Sequence, residues 1–70
     1  MEIFVTPKTL VGEVVNEYPE SIEVLTACGM HCLGCPASQA ESLEDACAVH
    51  GLDADSVVTA LNMRISAARG

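Results

Sequence analysis

The stretch Leu10-Val11-Gly12-Glu13-Val14-Val15-Asn16-Glu17-Tyr18-Pro19 decides the fold class. Its apolar residues Leu10, Val11, Val14, Val15 and Tyr18 recur at i, i+1, i+4, i+5 and i+8, while Glu13, Asn16 and Glu17 fall opposite. That is the period of an amphipathic helix, not of a strand. The helix is expected to begin near Thr9 and to stop at Pro19. Upstream, residues 2–6 read as a short extended lead-in ended by Pro7, with Ile3 and Phe4 expected to cover one end of the core.

Downstream, Pro19 and Glu20 suit the first turn of a second helix running to about Ala27, because proline's fixed φ is tolerated there and an acid complements the helix dipole. Gly29 is its natural C-terminal cap. After the Gly- and Cys-rich stretch 29–35, Pro36 to Ala40 is expected to form a short helical turn. Ser42-Leu43-Glu44-Asp45 resembles a capping box with Asp at the third position. It opens a helix with Leu43, Ala46 and Cys47 on its apolar side, ending at Gly51, and His50 is expected to cap its last carbonyls. Asp53 caps a final helix whose Val57, Val58, Leu61 and Ile65 face inward, with Arg64 and Arg69 toward its negative end. The expected fold is all-α, a compact array of four to five short helices with a short extended N-terminal segment. With no linker, repeat or low-complexity stretch, residues 1–70 read as a single domain.

Composition sets limits on function. A chain of 70 residues supports one modest core, since one this short buries only about 60% of the surface its unfolded form exposes. Phe4 and Tyr18 are the sole aromatics, so the core must come from aliphatic side chains, with Met30 and Met63 expected as fillers. The ten Asp and Glu against Lys8, Arg64 and Arg69 give a formal net charge of −7. Such a balance repels polyanions and argues against nucleic acid and anionic membranes as partners. No apolar run approaches the ~20 residues of a membrane span, and no basic stretch followed by an apolar run opens the chain, so a cytoplasmic location is expected.

Chemistry concentrates in Cys32-Leu33-Gly34-Cys35. A CxxC spacing brings two sulfurs within disulfide reach around a tight turn, and Gly34 supplies backbone freedom for closure. Pro36 biases Cys35 away from helical backbone and itself favours the first helical position, which puts Cys35 at an N-cap. There a thiolate is stabilised by free backbone amides and the helix dipole. Either Cys32 or Cys35 can serve as the attacking sulfur. His31 adjoins the pair as a modulator of thiolate character. The spacing Cys28-x3-Cys32-x2-Cys35 is shared with radical S-adenosylmethionine enzymes, whose barrel is several times longer than this chain. Cys28, Cys32, Cys35 and Cys47 are together sufficient to ligate one zinc ion or iron–sulfur cluster. Against that, Cys28 falls on the stripe of Ile22, Val24 and Leu25, and Cys47 on that of Leu43 and Ala46, where small cysteines pack into cores.

The segment Gly29-Met30-His31-Cys32-Leu33-Gly34-Cys35-Pro36-Ala37-Ser38 resembles the signature of the hybrid-cluster-protein-associated disulfide redox domain, a small family of unknown function. Leu10 to Val15, Tyr18-Pro19-Glu20, Ser42 to Cys47 and Gly51-Leu52-Asp53 are similar to its remaining helices, so the resemblance spans nearly the whole chain. It implies a redox disulfide at Cys32 and Cys35 and an association with anaerobic or nitrosative-stress metabolism through the hybrid cluster protein. At Cys28 the chain departs from the aromatic or apolar residue expected in the family. Cys47 resembles a cysteine in the N-terminal domain of iron–sulfur-cluster repair di-iron proteins.

Three functions are therefore weighed. The first is a thiol redox module without a cofactor, in which Cys32 and Cys35 exchange electrons with a partner redox protein. The second is a zinc or iron–sulfur module on Cys28, Cys32, Cys35 and Cys47. The third is a protein-interaction domain with incidental thiols. The partner, the reduction potential and the oligomeric state are not legible in the residues.

Overall fold

The computed structural model describes residues 3–30 and 39–69, and among these the architecture is all-α. The helices bounded within the described residues are α1 (Val11–Glu17), α2 (Ser21–Ala27), α3 (Leu43–Val49) and α4 (Ala54–Arg69). Three of them are seven residues long, too short to be stable in isolation, so packing must hold them. The longer α4 is the spine against which α2 and α3 lie, and α1 packs on α2. Val57, Val58, Leu61 and Ile65 face inward along α4 as their spacing predicts. They meet Val11 and Val14 of α1, Leu25 of α2, and Leu43, Ala46 and Cys47 of α3 in one core.

The helix ends follow local sequence rules. Ser42 caps α3, its Oγ accepting the Asp45 N–H at 3.2 Å. Asp53 accepts from the Ser56 N–H and hydroxyl at the start of α4. Gly29 and Gly51 have φ of +96° and +69°, and each closes a Schellman motif. In the first, the Gly29 N–H donates to Thr26 and the Met30 N–H to Leu25; in the second, Gly51 donates to Ala48 and Leu52 to Cys47. His50 stands at the C-cap of α3 and acts there through its backbone N–H, bonded to the Ala46 carbonyl.

The described part of the N-terminal segment, residues 3–6, forms neither helix nor strand, and its anchor differs from the expected one. Ile3 is 67% exposed and does not cover the core, whereas Val5 is 1% exposed and inserted in it. Phe4 packs at the core margin and meets Tyr18 edge to face, with ring centroids 5.9 Å apart. The cause is Asn62, a buried polar residue in the middle of α4. Its Oδ1 accepts the N–H groups of Phe4 at 2.7 Å and Val5 at 3.0 Å, and its Nδ2 donates to the Val5 carbonyl at 3.0 Å. One side-chain amide thus does for the segment what a neighbouring strand would do, and Val5 is the residue it pulls inward.

Two further expectations are corrected. Met63, expected as a core filler, is 60% exposed, because it follows Asn62 around α4 and faces away; Met30 does fill the core. On α2 the inward stripe is Ser21, Val24, Leu25 and Cys28, not one including Ile22, which is exposed. Ser21 is accommodated because its hydroxyl donates to the Tyr18 carbonyl at 2.7 Å.

All three basic residues are paired with acids. Lys8 meets Glu44, Arg64 meets Glu23, and Arg69 meets Glu20 at 3.4 Å. Arg69 also lies over the Tyr18 ring, 4.8 Å from its centroid, and donates to the Glu17 carbonyl, tying the end of α4 to the turn between α1 and α2. Pairs this exposed contribute little stability each, but they leave no cation over for a basic binding surface. No helix among the described residues is long and apolar enough to cross a membrane.

Replacing Asn62 tests the clamp. Asn62→Leu keeps the volume but strands two N–H groups and one carbonyl, each costing roughly 1–3 kcal/mol when left unmade. The urea midpoint is expected to fall by the equivalent of about 3 kcal/mol or more in total. Unchanged stability would show that the clamp is dispensable.

Candidate thiol site

The connection between α2 and α3 carries the cysteines, and its two ends are firmly placed. On the entry side, α2 ends in the Gly29 Schellman motif, with Cys28 half-buried at the C-cap and Met30 3% exposed in the core beside Leu25. The Cys28 N–H is shared between the Val24 and Leu25 carbonyls at 3.1 Å each. The chain leaves the helix with its last described residue, Met30, fastened.

On the exit side, Gln39 lies against α1. A Cβ built on Gly12 would stand 3.0 Å from the Gln39 Cβ and 3.1 Å from its carbonyl oxygen, so glycine at position 12 permits the approach. Just beyond, Leu10 and Ser42 form an antiparallel bridge, and the Val11 N–H donates to the Glu41 carbonyl at 2.8 Å. The Leu43 and Glu44 N–H groups donate to the carbonyls of Thr9 and Pro7 at 2.9 Å each. With Ser42 serving the next two, every free N–H in the first turn of α3 has an acceptor.

His31, Cys32 and Cys35, with Pro36 and the start of the helical turn expected there, lie outside the described residues. The two remaining cysteines both adjoin the core. Cys47 is fully buried in α3, Cys28 packs against the same core, and neither is in a disulfide. Burial pushes the Cys47 thiol up, and the neighbouring Cys28 and then Asp53 push it the same way. Cys47 is therefore a thiol, not a thiolate, at neutral pH, and thiolate is the reactive and ligating form. Among the described residues, no three His, Cys, Asp or Glu side chains are grouped to hold a metal ion. A shallow depression on the outer face of α4, lined by Asp55, Ser56, Thr59, Ala60 and Met63, holds no cysteine or histidine.

Fold and anchors together define a small all-α domain with a cysteine-bearing connection between its second and third helices. The family described as a domain of unknown function, DUF1858, matches residues 5–58, and the chain belongs to it. The fold is similar to the NMR solution structure of a protein from Clostridium thermocellum, a structural-genomics target, with a TM-score of 0.70, 46% identity and 81% of each chain covered. No curated protein matches the chain.

Gly12→Ala tests the exit anchor. Alanine gains about 1 kcal/mol of helix propensity over glycine, but the clash with Gln39 costs roughly 1–3 kcal/mol unless the returning chain moves. The Leu10–Ser42 bridge and the Val11–Glu41 bond hold that chain in place. A net loss of stability is expected in chemical denaturation, and a gain would show that the exit is free to shift.

Proposed function

We propose that the domain is a thiol redox module in which Cys32 and Cys35 cycle between dithiol and disulfide, exchanging an electron pair with a partner protein through a mixed disulfide. The observation that supports it most is the setting of the CxxC segment. The chain enters it from the Met30 anchor and leaves it through the Gln39 contact with Gly12, so the reactive segment is carried between two fixed points of a small packed scaffold. Pro36 after Cys35 favours an N-cap thiolate. The paired cations and the modest core suit a carrier that meets another protein better than a small-molecule enzyme.

A dithiol carrier of this kind belongs in the cytoplasm, where disulfides are transient and catalytic or redox-sensing. The resemblance of the loop to the hybrid-cluster-protein-associated domain suggests the hybrid cluster protein, or a related protein of anaerobic metabolism, as partner. His31 would modulate the thiolate of its neighbour. Zinc or iron–sulfur ligation by Cys28, Cys32, Cys35 and Cys47 is the alternative use of the same thiols. It is the weaker use, because Cys47 is sealed in the core among Leu43 and Ala46.

Single replacements test the redox cycle. With oxidised glutathione, the wild type is expected to pass to an internal Cys32–Cys35 disulfide. Cys32→Ser and Cys35→Ser should each stall with glutathione on the surviving cysteine of the pair, visible by intact mass and peptide mapping. Equal glutathione adducts in the wild type and both variants, with no Cys32–Cys35 bond, would overturn the proposal.

A further inference from the structure

The side of α4 that turns away from the core carries no charge. Val57, Val58, Leu61, Asn62 and Ile65 are its buried face, and the helical period puts Ser56, Thr59, Ala60, Met63 and Ala67 on the opposite stripe. The outer face of a helix in so acidic a chain is expected to be charged. This one instead presents Met63, 60% exposed, beside the depression that Ser56, Thr59 and Ala60 line. The charges of the chain are distributed in the same sense. α4 holds one acid, Asp55, and two of the three basic residues, Arg64 and Arg69, so its net charge is +1, while the remaining residues, with nine acids and Lys8, sum to −8. Two copies of this chain repel one another through everything except α4, and α4 is the element with an uncovered apolar face.

We propose that two copies of this chain pair through the outer faces of α4, antiparallel, with Met63 of each seated in the depression of the other. When the two helices run in opposite directions and are centred level with Leu61 and Asn62, Met63 of one copy lies level with Ala60 of the second. The contact is then made twice by the same residues, the self-complementary geometry that closes a two-fold dimer. Asp55 comes level with the last turn of the other α4, on the edge where Arg69 lies, and the opposite ends of the two helix dipoles adjoin. A parallel arrangement would set Asp55 beside Asp55 and like dipole ends together. The contact spans about three turns of one helix per copy, less than the ~1,200 Å² that stable interfaces bury. Repulsion between two chains of charge −7 also opposes it at long range. The dimer is therefore weak, and salt strengthens it by screening that repulsion, the reverse of a contact held by ion pairs. Because α2 and α3 pack on the inner side of α4, the pairing leaves them uncovered.

The test is sedimentation equilibrium on the full chain with its thiols kept reduced. In about 0.5 M salt a monomer–dimer equilibrium is expected with a constant of roughly 0.1–1 mM, weakening several-fold in dilute salt. Met63→Asp and Val49→Asp add the same charge at exposed positions, the second at the end of α3. Met63→Asp is expected to weaken association by roughly tenfold or more, because it puts a carboxylate into an apolar contact, whereas Val49→Asp changes it by less than about threefold in high salt. A chain that stays monomeric at millimolar concentration in high salt would overturn the proposal, as would association that survives Met63→Asp, is lost equally in Val49→Asp, or grows beyond two copies. Amide shifts of the wild type on dilution decide independently of how either variant folds. Shifts centred on Ser56 to Ala67 support the pairing, and shifts confined to other elements overturn it.

Discussion

The amide of Asn62 is the contact on which the rest of the arrangement depends. Buried in the middle of α4, it bonds the backbone of Phe4 and Val5 and so lays the N-terminal segment along the helix. The segment then runs on to place the carbonyls of Pro7 and Thr9 over the first turn of α3, where they accept the N–H groups of Glu44 and Leu43. A polar side chain on the longest helix thereby sets the start of a seven-residue helix elsewhere in the fold. Short helices need such support, because their own hydrogen bonds do not offset the cost of nucleation. An unpaired amide in that position would be costly, but its three hydrogen bonds and the surrounding core make it a specific join.

That chain of contacts ends at the cysteine-bearing connection. The bridge between Leu10 and Ser42 and the close approach of Gln39 to Gly12 hold one end, and the Schellman motif at Gly29 holds the other. Of the scaffold's own cysteines, Cys28 stands where the connection leaves α2, and Cys47 is buried within α3. The sealed position of Cys47 keeps one sulfur protonated at neutral pH.

What was legible in the sequence is what depends on near neighbours. Helical periodicity at Val11, Val14, Val57, Leu61 and Ile65, the caps at Ser42 and Asp53, and the left-handed turns at Gly29 and Gly51 are all settled within one or two turns of chain. The role of Asn62 was not, because its partners are Phe4 and Val5, and a mid-helix asparagine usually faces water. One signal was present, since Val58, Leu61, Asn62 and Ile65 share a single helical stripe. The same stripe excludes Met63 from the core, and the choice of Val5 over Ile3 follows from where Asn62 reaches. Gly12 reads as a weak spot in a helix until Gln39 arrives beside it. The CxxC spacing, by contrast, is local, and the redox proposal for it rests on the residues alone.

The reduction potential of the Cys32/Cys35 couple tests the central proposal most directly. Anaerobic protein is equilibrated in glutathione buffers of graded ratio, quenched with a thiol-blocking reagent and mapped. The expected result is joint, reversible loss of the Cys32 and Cys35 thiols, with a two-electron midpoint between roughly −200 and −300 mV, the range of cytosolic couples and their glutathione pool. Thiols that stay reduced across the whole series, or that are found holding a metal ion, would contradict it.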